Sequence, residues 1–432
     1  MSEFQKIIDT LATCNLFLTG GAGVGKSYRT NQVIKHYQQE KKQVVALGST
    51  GVSAVNIAGF TVHSFFVFGI SNSFEELALH DKRAKKRLQE LKKILQATDL
   101  IVIDEISMIS TQMLDMINFR LKSAKYRGKL LLVGDFFQLP PIRKNYGQNP
   151  QQLIDDALYA FESSAWQEFD LRVIELTHMH RTKDKTFTHI LHKIRIGMCD
   201  NEVIEYLSQL HNNTLAEQND PTLLYGRNLE VEATNRAKLD LLETEETILF
   251  ANLEVFGTVN EKRIQSWKKL LPISHTLTLK VGAPVLFTVN KWGKFVNGER
   301  GILRTIEDEY LIVEKAQEFV RVERHDFDLL DMKTKADGTI ETISLATLSQ
   351  FPLKLAYAVT IHKSQGMSIE KIVCNVDHIF APSQFYVAIS RATNPKTLKI
   401  DFTKGTLAHY LQRVIRVDRR VVEYYQADKD NF

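Results

Sequence analysis

The stretch Gly20-Gly21-Ala22-Gly23-Val24-Gly25-Lys26-Ser27 constrains this chain more than any other. It fits G-x-x-x-x-G-K-[ST], the phosphate-cradling P-loop pattern, and its surroundings fit too. The run Asn15-Leu16-Phe17-Leu18-Thr19 reads as a buried strand before it, and residues 28–39 read as a helix after it. Glycines at 20, 21, 23 and 25 open backbone conformations closed to other residues and bring N–H groups against phosphate oxygens. The positive end of the following helix adds to the attraction. In this arrangement Lys26 reaches the β- and γ-phosphates and the Ser27 hydroxyl binds Mg²⁺. A plain glycine-rich turn accounts for the glycines, but not for Gly-Lys-Ser after a strand. The stretch therefore predicts a bound nucleoside triphosphate.

Three further apolar runs follow: Val44-Val45-Ala46-Leu47, Leu100-Ile101-Val102-Ile103 and Leu130-Leu131-Leu132-Val133. Continuous runs with helical stretches between them predict buried parallel strands of a doubly wound α/β domain. At 432 residues the chain is too long for one ordinary core, and roughly two to four domains are expected. No run approaches the roughly 18 apolar residues that span a bilayer, so no membrane partner is expected. The first residues show no secretory or targeting pattern, which predicts a cytoplasmic chain. Cys14, Cys199 and Cys374 are too few and too scattered for a disulfide framework or a cysteine zinc site.

Ser2 and Gln5 fit a capping box opening a first helix. Residues 65–96 read as an insertion. Phe65, Phe66 and Phe68 form an aromatic cluster before a second capping box at Ser73, and one helix is expected from there to about Gln96. Ala84, Leu88, Leu91 and Leu95 give that helix an apolar face, and Lys82, Arg83, Lys85, Lys86, Arg87, Lys92 and Lys93 make it the best basic cluster in a chain of mild net charge, +4. Such a face is either merely solvated or, beside aromatics that could stack on bases, part of a nucleic-acid surface. A boundary is expected near residues 162–169, with the strand at Arg172 opening a second α/β unit that resumes after residue 347. Residues 272–347 are rich in short strands and turns and predict a small inserted β-barrel. The chain ends in a charged, partly helical tail from residue 404.

The run ending at Asp104-Glu105 places two carboxylates at a strand end, where ligands of such folds bind. Asp104 suits Mg²⁺, and Glu105 suits the positioning and deprotonation of an attacking water. The next strand ends in Gly134-Asp135-Phe136-Phe137-Gln138-Leu139-Pro140-Pro141, where Gln138 is placed to sense the γ-phosphate. Arg181 and Arg391 are candidates for the positive charge that hydrolysis needs on the far side of that phosphate.

Taken together, residues 20–27, Asp104-Glu105-Ile106-Ser107, residues 134–141, His362-Lys363-Ser364-Gln365-Gly366 and residues 386–392 resemble the superfamily 1 helicases. Residues 50–59, Thr61-Val62-His63-Ser64-Phe65-Phe66 and residues 104–108 are most similar to the petite integration frequency (PIF) family, with a bacterial or phage-like character. The resemblance spans about residues 2–402. It implies two RecA-like parallel-sheet domains (residues 1–64 with 97–168, and 169–271 with 348–403), a wedge-type insertion at 65–96, an SH3-like barrel at 272–347 and a tail at 404–432. It implies ATP-driven 5′→3′ translocation on single-stranded DNA and unwinding at duplex junctions, with forks, RNA–DNA hybrids or G-quadruplexes as further substrates, in repair, recombination or genome maintenance. A monomer in solution is expected.

By position, Gln5 matches the adenine-reading glutamine, Gln138 the γ-phosphate sensor, and Arg181 and Arg391 the arginines supplied by the second domain. Thr50, Gly51, His63, Phe66, Thr360 and His362 fall in stretches that the resemblance places against DNA. Three other readings stay open at this level: a RecD-like translocase subunit of a nuclease complex, a nucleotide-gated DNA-binding module that does not move, and an RNA motor.

Overall fold

A computed structural model describes residues 2–57, 59–69, 71, 73–141, 159–214, 220–257, 259–291, 293–335 and 337–429. The four apolar runs become β1 (Asn15–Gly20), β2 (Val44–Gly48), β4 (Leu100–Asp104) and β5 (Lys129–Val133). With β3 (Phe60–Thr61) and β6 (Leu171–Leu176) they form a parallel sheet in the order β3-β2-β4-β5-β1-β6. Side chains alternate across the sheet as a period of two requires. Leu16, Leu18, Leu100, Val102, Leu131 and Val133 join one core with the helices α1 (Glu3–Thr13) and α2 (Lys26–Gln39). Phe17, Ile101, Ile103, Leu130 and Leu132 join the opposite core with the helix Thr111–Ala124. Burial on both faces is why the runs are apolar throughout rather than alternating.

A second parallel sheet orders Ala358–Thr360, Thr222–Tyr225, Ile372–Asn375 and Leu398–Asp401. It shares a core with helices Lys185–Arg195, Asn201–His211, Gln384–Ile389 and Leu407–Val414. Between the strands of this sheet the chain builds a five-stranded antiparallel sheet around Val285, Phe287, Leu303, Leu311, Val313 and Phe351. A long hairpin, His325–Thr334 with Ile340–Gln350, extends from it.

Four expectations change. The strand at Arg172 does not open the second unit: Leu171–Leu176 pairs with β1 from Asn15 to Gly20, so the first sheet runs past the boundary expected near residues 162–169. The insertion helix is two helices, Phe74–Arg83 and Lys85–Ala97, broken at Ala84, whose N–H is shared between the His80 and Asp81 carbonyls. Apolar spacing continues across such a break and does not reveal it. The β-rich unit is wider than residues 272–347, since Glu246–Phe250 pairs with Thr276–Lys280, Asn252–Val255 pairs with the hairpin, and Leu353–Leu355 closes the sheet. Finally, the charged tail is a structural strap. Its last helix, Arg419–Lys429, returns to the first unit, where Val421 is buried in the core that holds Phe136 and Trp166.

Candidate nucleotide site and nucleic-acid contacts

β1 delivers the chain into the glycine loop, and α2 begins at Lys26. Gly23 and Gly25 hold φ of 84° and 90°, the left-handed region. A Cβ on Gly23 would also stand 2.6 Å from the Cβ of Arg181, so that glycine serves both conformation and close approach. The Lys26 ammonium donates to the carbonyls of Gly20 (2.6 Å) and Gly21 (2.9 Å). Burial pushes its pKa down, while Asp135, Glu105 and Asp104 act in the opposite sense. Ser27 is exposed in the first turn of α2. The Ala22 N–H, inside the loop, donates to the Tyr386 hydroxyl of the second unit at 2.9 Å.

β4 ends in buried Asp104, whose carboxylate accepts the Glu105 N–H at 2.9 Å. Glu105 sits at φ 55°, ψ 49°, a conformation uncommon for a non-glycine residue and frequent at functional sites. Its carboxylate accepts the Gln365 amide of the second unit at 3.1 Å. Burial, and then Glu105, push the Asp104 carboxyl up to about 7. Glu105 is raised by burial as well, against the pull of Lys26 and Arg391.

Across the cleft, the Arg181 side chain packs on Gly23 and donates to Ser368 Oγ (2.9 Å) and the Ser390 carbonyl (2.7 Å). Arg391, 1% exposed, donates to the Val387 carbonyl and Ser390 Oγ, each at 2.9 Å. Among the described residues neither arginine forms a salt bridge, and burial pushes both guanidinium groups downward, with Arg391 a second cause at Arg181. Gln138 donates to Asp135 at 3.3 Å, and Asp135 is held by Arg195 at 3.0–3.3 Å. Lys26, Glu105, Gln138, Arg181 and Arg391 thus gather around the glycine loop from both units. A cradle of backbone N–H groups facing two cations, one partly and one fully buried, without carboxylate partners among the described residues fits a polyphosphate. Asp104 and Ser27 supply the oxygen donors that suit Mg²⁺.

Gln5 is not joined to this cluster. It lies on the exposed side of α1, its N–H capped by Ser2 and its amide donating to Asp9 at 2.8 Å.

The nucleic-acid candidates separate into two groups. Thr50 and Gly51 follow β2, Thr360 ends the strand Ala358–Thr360 and His362 opens the short turn after it, so both pairs stand at the C-terminal ends of strands. Thr50 caps the helix Gly51–Asn56 in a box with Ser53, and Gly51 abuts Leu270 so closely that a Cβ would lie 2.2 Å from its carbonyl oxygen. The His362 ring stacks on Phe380 at 6.0 Å, and burial pushes its pKa down. His63 meets the edge of Phe68 at 6.3 Å. Phe66 is a correction: it is fully buried, packed on Phe65 and stacked on Phe68, and offers no face to a base. Three successive aromatics say that a stretch is apolar, but not whether it faces solvent or core. The basic helix is likewise partly engaged. It packs on the long hairpin around a cavity of about 340 Å³ lined by Phe65, Leu91, Ile94 and Met332, with Lys86 and Lys333 at its edge.

Sequence reasoning missed five residues. Asp135, Gln365 and Tyr386 lie inside stretches already singled out, yet their pairings cross between units and leave no local signal. Arg195 and Tyr425, which meet around Asp135 and Phe137, have no sequence signal at all.

The fold and the site define a P-loop nucleoside triphosphatase whose site is completed across two parallel-sheet units. The model of the PIF1-like helicase family matches residues 2–205, and a second model, described as helicase, matches residues 299–413. The chain is 41% identical to the ATP-dependent DNA helicase Pif1 of Campylobacter jejuni, over 99% of this chain and 98% of that one. It is 33% identical to the protein of the same name from Bdellovibrio bacteriovorus, over 95% and 88%. The chain belongs to the PIF1-like helicase family. Among solved structures it resembles Bacteroides Pif1 with ADP-AlF4 (TM-score 0.84, 27% identity, 100% and 97% covered). Bacteroides Pif1 bound to single-stranded DNA gives 0.66 at 28% identity, with the same coverage.

Proposed function

We propose that the cleft between the two parallel-sheet units drives 5′→3′ movement along single-stranded DNA. The chain is an ATP-dependent DNA helicase, and its residues divide the work as follows. Lys26 and the N–H groups of residues 21–27 hold the β- and γ-phosphates. Asp104 and Ser27 would hold Mg²⁺, which would supply positive charge to the phosphate oxygens. Glu105 takes the proton of the attacking water. Burial raises its pKa, with Lys26 and Arg391 pulling the other way, and a carboxylate raised in this way is a stronger base toward that proton. Gln138 orients that water or the γ-phosphate, and Arg181 and Arg391 stabilise the charge that develops there. Once the γ-phosphate leaves, both arginines lose their anion and the cleft opens. Thr50, Gly51, His63, Thr360 and His362 contact the DNA strand at the sheet ends.

The observation that carries the hydrolytic part of this reading is a pair of arginines at the glycine loop: Arg181 lies on Gly23, and buried Arg391 acts on Glu105; the 5′→3′ sense follows from the resemblance to the PIF family. We infer that a second rearrangement accompanies DNA, in which the contact between the helix Lys85–Ala97 and the long hairpin opens. What supports it is that the chain matches Bacteroides Pif1 with ADP-AlF4 (TM-score 0.84) and unliganded (0.80) better than Bacteroides Pif1 with single-stranded DNA, alone or with ADP-AlF3 (0.66 each).

The test is strand separation of partial duplexes carrying a 5′ or a 3′ single-stranded tail, with and without ATP. Unwinding of the 5′-tailed duplex alone is expected; unwinding of only the 3′-tailed one would reverse the polarity.

A further inference from the structure

We propose that Tyr425, on the C-terminal helix Arg419–Lys429, is a positioning residue for ATP hydrolysis that acts through Phe136, Arg195 and Asp135 on Gln138. Its phenol oxygen lies 2.8 Å from Thr19 Oγ1, on the strand that feeds the glycine loop. The same oxygen accepts the Phe136 N–H at 3.3 Å. Its ring stacks on Phe137 at 4.7 Å, with 16° between the planes. The Arg195 guanidinium sits 4.8 Å from the Phe137 ring and 5.9 Å from that of Tyr425, and it grips Asp135 with both Nε and Nη2. Asp135 in turn accepts the Gln138 amide at 3.3 Å and the Phe137 N–H at 3.2 Å. One side chain from the end of the chain thus ties together the strand entering the phosphate loop and the loop that bears Gln138.

The helix is well anchored for that role. Tyr424 stacks on Phe161 at 4.5 Å, and Val421 is buried. Asp135 is fully buried and Arg195 nearly so, and a buried ion pair keeps its geometry only while neighbours fill the space around it. Tyr425 and Phe137 supply that wall. Hydrolysis is more sensitive than binding to a shift of a few tenths of an ångström, because the transition state is stabilised by groups already in place. Loss of the hydroxyl should therefore slow turnover while leaving nucleotide binding intact.

The proposal rests on the sensing role given to Gln138 above, and the experiment separates the two. Tyr425→Phe in the full chain keeps the ring stack and removes only the hydroxyl. DNA-stimulated kcat is expected to fall about fivefold, the size of one hydrogen bond, with KM for ATP unchanged and the thermal midpoint lowered only slightly, as the Phe136 N–H loses its acceptor. The affinity for MgADP with aluminium fluoride, relative to MgADP alone, should fall by the same factor. Gln138→Ala is assayed beside it. Impaired Gln138→Ala with wild-type kcat in Tyr425→Phe overturns the relay alone, and full turnover by Gln138→Ala overturns both readings. A Tyr425→Phe variant that loses kcat, MgADP affinity and thermal midpoint together shows a purely structural tyrosine and also overturns the relay.

Discussion

Partly buried Arg181 and fully buried Arg391 bond, among the described residues, to hydroxyls and backbone carbonyls. Burial without a carboxylate partner is expensive, and a polyphosphate removes the expense. Arg391→Ala should lower DNA-stimulated kcat by about a thousandfold, the scale of a transition-state arginine, while MgADP binds almost as before; unchanged turnover in steady-state ATPase assays would remove Arg391 from the site. Lys26→Ala should abolish ATP hydrolysis, measured as phosphate release, because this lysine carries positive charge into the phosphate cradle from within the loop itself.

A third residue reports through pH. Lys354 has its ammonium 4.0 Å from Met367 Sδ, and burial and Lys363 push its pKa down to about 7. In the unfolded chain a lysine holds its proton to about 10.5. Between those values the folded protein binds fewer protons than the unfolded one, so stability rises with pH across this window, and the full cost of the buried charge is borne below about 7. Lys354→Met should therefore melt higher than the parent at about pH 6, with the gain shrinking toward about pH 9. A gain independent of pH would mean that Lys354 keeps its proton in the fold. Nothing about Lys354 was legible in the sequence, since its neighbour Lys363 arrives from a different segment.

Among the elements, the parallel strands were the most legible, because a strand buried on both faces has to be apolar throughout. The sheet to which a strand belongs was not. Leu171–Leu176 reads equally well as the last strand of one unit or the first of the next, and its pairing with β1 decides the matter. The stretch of residues 65–68 shows the same limit for side chains. Phe66→Ala should destabilise the protein by about 3–5 kcal/mol, as for other buried aromatics, a loss visible in chemical denaturation. If stability holds and only DNA affinity falls, the aromatic cluster faces the nucleic acid after all.

For the whole molecule, the contact between the basic helix and the long hairpin is the part that DNA should disturb. Donor and acceptor dyes on Lys86→Cys and Lys333→Cys, with Cys14 and Cys199 replaced by Ser, flank the cavity between these elements. Transfer efficiency should drop when an oligothymidylate is added to the nucleotide-free protein. Constant efficiency would mean that DNA binds without moving the hairpin.

What the sequence by itself determined is local. The eight residues from Gly20 to Ser27, the carboxylates closing β4 and the strand-end position of Gln138 each follow from chemistry within one segment. A strand, a turn and a helix N-terminus need no distant partner to be recognised. The tertiary structure alone decided how the site closes. Gln365 on Glu105, Tyr386 on Ala22 and Tyr425 beside Arg195 bring together groups up to several hundred positions apart, and a chain records its side chains but not which of them folding will make neighbours.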